Sequence, residues 1–254
     1  STVYVASHLS GRMAALNGAD GRKGWDFRVD GTPRRAPVLT QGLSRQLLIF
    51  GTDEGQIVAI DAKSAHDSAP SNAAWTKPLN GPVSGDLTFG WIAGEEEGEG
   101  YGLIVVPCED GWLYGIDPAT GRSRWVVRSD ATFRGPAKII GNRVYATNRD
   151  RMFCIDADTG HRIWYPASTA GLSEFEKNEF FGPPEGYEHA ERVLADDGTR
   201  AFFTRGHSVI MRCASSDGSI ESEYAMSAFD FFMTNTVTGD LLLGTKDGYL
   251  FSFK

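Results

Sequence analysis

Several basic side chains in this chain stand beside turn signals, the places where a rigid scaffold usually carries its chemistry. Arg34 and Arg35 precede Pro37, and Arg134 precedes Pro136. Arg149 and Arg151 flank Asp150, and Arg205 and His207 flank Gly206. A guanidinium offers two parallel N–H donors, so arginines so placed suit a carboxylate or an acidic peptide. A second group lies between Pro166 and Arg192. There Phe175, Phe180, Phe181 and Tyr187 are mixed with Glu174, Glu176 and Glu185. Aromatic rings flanked by charge suit a partner-docking surface; the same rings could instead cover the protein's own core.

Other chemistry is harder to place. No GxSxG, HExxH, P-loop or dinucleotide-binding glycine pattern occurs. His8, His66, His161, His189 and His207 lack metal-ligand spacing. The three cysteines, Cys108, Cys154 and Cys213, are odd in number, form no CxxC, and sit among apolar residues. Buried free thiols are expected. The Gly/Glu run Gly94–Gly100 reads as a solvated loop, with no fixed calcium-ligand spacing. A net charge of −8 argues against a nucleic-acid partner. No apolar stretch approaches the roughly 18 residues of a membrane span, and Ser1–Ser7 do not form a signal peptide.

What would bring distant arginines together is a repeat. A segment small–x–Asp–x–x–Thr–Gly–x–x–x–Trp appears as Gly115 to Gly121 with Trp125, carrying Asp117. It recurs as Cys154 to Gly160 with Trp164, carrying Asp156. Weaker copies are Ala15 to Gly21 with Trp25, and Ala59-Ile60-Asp61 with a delayed Trp75. A fifth copy, Ala214 to Gly218, has lost both Asp and Trp, and a sixth stops at Lys254. The Asp-equivalent positions 17, 61, 117, 156, 214 and 254 lie roughly 40 residues apart with two wider gaps, a propeller period.

Each unit predicts four strands, A to D. An Asp-Gly or Glu-Gly hairpin joins B to C, and the tryptophan falls in D. The Asp can accept hydrogen bonds from the turn it opens, the Gly supplies positive φ, and the Trp can pack flat between neighbouring blades. These residues therefore read as structural fasteners. The expected fold is all-β, a β-propeller of four-stranded antiparallel blades in one domain over residues 1–254. It has about six repeats and incomplete terminal blades: B, C and D at the start, A, B and C at the end. The B–C and D–A loops then share one rim. That rim gathers the basic residues above and Lys246, together with Asp53, Glu54, Glu109, Asp110, Asp150 and Asp247.

The motif resembles the tryptophan-docking motif of PQQ-type quinoproteins, and the chain is similar to BamB-like proteins over nearly its whole length. PQQ dehydrogenases of this type use an adjacent Cys-Cys pair and a calcium ion beside the cofactor; no adjacent cysteines occur here. No cofactor is therefore expected, with PQQ or calcium as the alternatives. The resemblance implies a non-catalytic scaffold that binds a protein partner in a larger assembly, in a periplasmic or other extracytoplasmic location. Two rivals are a quinoprotein-like enzyme or its remnant, and a sensory ligand-binding domain of a larger protein.

Overall fold

The computed structural model describes residues 1–7, 9–94, 96, 98–129, 131–133, 135–148, 151–165, 190–206 and 208–254. Every helix or strand among them is a β-strand, and the strands form six antiparallel sheets, each of consecutive strands. Backbone contacts group the chain into two compact units, Ser1–Arg128 with Gly135–Ala137, and Ser129–Arg134 with Lys138–Lys254.

The first unit holds three sheets. The first is β1 (Thr2–Ser7), β2 (Arg12–Asn17) and β3 (Lys23–Arg28); the second is β4 (Val38–Leu39), β5 (Leu47–Gly51), β6 (Gln56–Asp61) and β7 (Trp75–Pro78). The third is β8 (Thr88–Ala93), β9 (Gly100–Pro107), β10 (Trp112–Ile116) and β11 (Ser123–Arg128). Side chains alternate across a strand, so β5 and β6 serve two cores at once. Leu48, Phe50, Val58 and Ile60 pack with Met13, Ala15 and Trp25 of the first sheet. Leu47, Ile49, Ile57 and Ala59 pack with Ile104, Val106 and Ile116 of the third. Burial on both faces explains the uninterrupted apolar runs of β5 and β6.

The second unit repeats the scheme. It contains β12 (Lys138–Ile140), β13 (Arg143–Asn148) and β14 (Arg151–Asp156); β15 (Ala190–Asp196), β16 (Arg200–Arg205), β17 (Val209–Ala214) and β18 (Ile220–Ala225); and β19 (Phe231–Met233), β20 (Leu241–Gly244) and β21 (Leu250–Phe253). In the middle sheet Ala201, Phe203, Met211 and Cys213 face Tyr145, Cys154 and Trp164, while Leu194 and Ile210 face Leu241 and Leu243. One expectation needs correction. Trp164 lies in no strand; pairing there shrinks to a single bridge between Ile155 and Arg162. The Pro that follows at 166 has no N–H to extend a ladder.

The repeat motif has a definite geometry. Asp117 Oδ1 accepts from the N–H groups of Ala119 (2.8 Å) and Thr120 (3.1 Å), and Gly121 N–H closes the turn on Asp117 O at 2.8 Å with φ 73°. Asp156 holds Asp158, Thr159 and Gly160 in the same way. The second copy departs from this. Asp61 is taken by the guanidinium of Arg45, which holds its carboxyl below the usual range, and Asp67 Oδ2 instead accepts from Ser64 N–H at 2.8 Å. The residues inserted after Asp61 have moved the cap along the chain.

The indoles reach across sheets. Trp25 Nε1 donates to Ser64 O (2.9 Å), Trp75 Nε1 to Pro118 O (2.9 Å) and Trp164 Nε1 to Ser215 O (3.1 Å). Trp75 lies so close over Gly121, and Trp164 over Gly218, that a Cβ on either glycine would stand 2.6 Å from the ring. Beside Trp164 the carboxylate of Asp196 is buried and fully engaged. It accepts from Tyr145 Oη (2.6 Å), Ser215 Oγ (2.7 Å) and Gly198 N–H (2.8 Å), and pairs with Arg143 Nη1 (3.1 Å).

Two measurements test this packing. Trp164→Ala should cost about 3–5 kcal/mol in urea denaturation, since it removes a fully buried ring and its hydrogen bond; a cost below about 1 kcal/mol would contradict the role of the indole. All three cysteines are buried and free, and burial pushes the Cys108 thiol up to about 12 and raises that of Cys154. A thiol with a raised pKa stays protonated, hence un-nucleophilic, at pH 8. Iodoacetamide should label no cysteine in the native protein and all of them in guanidinium chloride; fast labelling under native conditions would refute the burial.

Candidate functional site

The rim residues of the first unit are placed by a recurring contact between a D–A loop and the B–C turn of its own sheet. Pro33 bridges Thr52, and Val83 bridges Cys108; in the second unit Phe133 bridges Asn148. The loops therefore do not hang free. Asp53 and Glu54 accept from Thr32 N–H at 3.0 and 2.9 Å, and Asp53 N–H returns a bond to Thr32 O. Glu109 N–H donates to Pro82 O (2.9 Å), and the Cys108 thiol faces Gly81 O (3.1 Å) and Pro82 O (3.3 Å).

Arg34 and Arg35 stand on this framework and reach the neighbouring sheet. Arg34 Nη2 pairs with Glu109 Oε1 at 3.0 Å, with side chains 35% and 41% exposed. Arg35 Nη2 donates to Ser84 O at 2.7 Å, while its Nε and the Ser84 hydroxyl are buried without a hydrogen-bond partner. Below them Asp110 accepts from Tyr114 Oη (2.8 Å) and Trp112 N–H (2.8 Å); burial first, then the hydrogen bond to Asp110 and its charge, raises the Tyr114 phenol. With the Cys108 thiol and Tyr114 phenol both protonated, neither is a nucleophile or base at neutral pH. The arrangement is suited to hydrogen bonding and charge pairing.

The other expected residues distribute as follows. Arg205 ends β16 in the second unit and donates to Glu223 Oε2 of β18, and Lys246 N–H donates to Asp230 Oδ2 at 2.8 Å. Arg134, Arg149, His207, Phe175, Phe180, Phe181 and Tyr187 lie outside the described residues, as does the side chain of Arg151, which opens β14. Sequence reasoning grouped Arg34 with Glu109 on one rim but not as a pair, and missed Ser84 altogether. Aligning the loops Pro33-Arg34-Arg35, Val83-Ser84-Gly85 and Phe133-Arg134-Gly135 on their bridging residue would have pointed to Ser84.

A family model described as "Outer membrane protein assembly factor BamB" matches residues 1–164. No curated protein sequence matches the chain. Among solved structures, BamB from Moraxella catarrhalis is similar at 18% identity and TM-score 0.61, over 98% of this chain and 65% of that one. Sqt1 from Saccharomyces cerevisiae is similar at 13% identity and TM-score 0.63, over 99% of this chain and 67% of that one. The computationally designed Ika8 protein is similar at 11% identity and TM-score 0.61, with 99% and 67% covered. This chain thus spans about two thirds of the length of each. At such identities the likeness shows the fold, a β-propeller. The family model extends over well more than half of the residues, and the chain belongs to the family of the outer membrane protein assembly factor BamB.

Proposed function

We propose that the protein is a non-catalytic propeller scaffold that holds a protein partner within a cell-envelope assembly, outside the cytoplasm. The observation that carries this reading is the family match, because the family is described as an assembly factor. The rim geometry supports it. Arg34 and Glu109 form a half-exposed pair, and such pairs contribute only about 0–1 kcal/mol, so a partner's own charges can replace either half at little cost. Arg35 is fixed in direction by Ser84 O, which lowers the entropy lost on binding. An acidic segment of the partner meets Arg34 and Arg35, with Arg134, Arg149, Arg151, Arg205 and His207 as further basic contacts. The insertion between Pro166 and Arg192, with Phe175, Phe180, Phe181 and Tyr187, offers the apolar anchors that such interfaces need.

The test is native purification from the source organism with cross-linking mass spectrometry and an absorbance spectrum. The wild-type chain should retain a defined envelope protein cross-linked through the 30–36 or 167–191 segments. Retention should fall about tenfold or more in an Arg34→Glu/Arg35→Glu variant that still melts cooperatively. A lone protein that carries a quinone chromophore, or a partner indifferent to both charge reversal and deletion of 167–191, would overturn the proposal.

A further inference from the structure

Neighbouring sheets of the first unit do not meet equally well along their last two strands. The register sets Ala59 opposite Trp75 as it sets Gly115 opposite Trp125, so Gln56, Val58 and Thr76 are the equivalents of Trp112, Tyr114 and Val126. Alternation along the strands turns each set toward the preceding sheet. Trp112 and Tyr114 pack there in one cluster with Leu79. Gln56, Val58 and Thr76 bring no ring to the first sheet, and the volume is not refilled. A groove of about 520 Å³ opens between β3 and the second sheet, a size suited to a small molecule.

The floor of the groove is apolar and its mouth is polar. Val29 and Val58 belong to the buried cluster shared by the first and second sheets, and Phe27 packs against it. The residues inserted ahead of β7 bring Ser71 and Asn72 to the mouth, beside Gln56 and Thr76. Among the described residues, these four side chains have no hydrogen-bond partner, and Asp30, which also lines the groove, has no ion pair. Backbone adds to the polar set, because β3 is the last strand of its sheet. Val29 N–H donates inward to Gly11 O at 2.9 Å, and antiparallel bonding engages alternate residues. The peptide groups of Asp26 and Arg28, which line the groove, therefore have no strand partner among the described residues. Their side chains take the face opposite Phe27, where Arg12 and Lys23 hold Asp26.

We propose that this groove binds a neutral N-acetylated sugar. Sugar hydroxyls both donate and accept, and so do the amides of Gln56 and Asn72 and the hydroxyls of Ser71 and Thr76. The acetamido methyl covers the floor at Val29 and Val58. Its planar amide bonds the open peptide edge of β3 as a neighbouring strand would. An anion would meet Asp30 and, among the described side chains of the groove, no cation. A sugar without the acetamido group leaves the apolar floor wet.

Isothermal titration calorimetry of the chain with N,N′-diacetylchitobiose tests the assignment, with cellobiose as the disaccharide that lacks both acetamido groups. Saturable one-to-one binding is expected, at least about tenfold tighter than cellobiose, and Gln56→Ala/Asn72→Ala should weaken it about tenfold. Gln56→Trp places in the groove the ring that the third sheet carries at Trp112, so this variant should melt cooperatively and bind no probe. No binding of the wild-type chain, equal affinity for cellobiose, or undiminished binding in folded Gln56→Trp would overturn the site. Tighter binding of N-acetyl-trialanine amide than of the sugar would also overturn it, since the edge of β3 would then serve a peptide strand. Should Gln56→Trp fail to fold, the alanine variant and the cellobiose comparison decide.

Discussion

The structure depends on how one sheet is attached to the next, and three indole N–H groups show how that is done. Trp25 and Trp75 from their own sheets, and Trp164 from the segment after β14, each donate to a turn carbonyl of the following sheet. A sheet with two apolar faces cannot exist alone in water, so each face must be met by a neighbour in a fixed orientation. The ring supplies buried area, and its one polar atom supplies direction, because an indole N–H left unpaired in the core would be costly. The receiving turn must be lean. That requirement puts Gly at positions 121 and 218, where φ is positive and the ring leaves no room for a side chain.

Polar groups in the interior follow the same economy. Asp196 is buried, but every approach to its carboxylate is filled by a donor from Tyr145, Ser215, Gly198 or Arg143. Satisfied in this way, the carboxylate specifies which sheets meet; with a donor missing it would oppose folding. The rim obeys a looser rule. Arg34 and Glu109 remain partly in water, so their pairing adds little to stability and leaves both groups open to exchange. A binding surface gains from this looseness, while a core does not.

Much of the fold was legible because the repeat is enforced by local chemistry. Asp117 and Asp156 must sit at the head of a tight turn, and Gly121 and Gly160 must take positive φ, so their spacing survives in the sequence. Less could be read where a local rule was broken and then mended at a distance. Nothing near Asp61 announces that Arg45 will claim it and that Asp67 will cap the turn instead. Nothing near Asp196 announces Tyr145, which is 51 residues away in sequence. The candidate site was readable only as a set of residues on one rim. Which arginine meets which acceptor depends on the pairing of loops from different sheets, as with Arg35 and Ser84, and no local pattern encodes that.

Each of the six sheets is made of strands that follow one another in sequence. Among the described strands none pairs with a partner from a remote part of the chain, so the loop entropy paid before each of these sheets closes is small. A nascent chain leaving the ribosome can therefore complete one sheet before the next appears, adding sheets in order as a repeat protein does. The indole of a finished sheet is then already in place when the turn that receives it is synthesised. Translation itself would set the order of assembly, from the amino terminus onward.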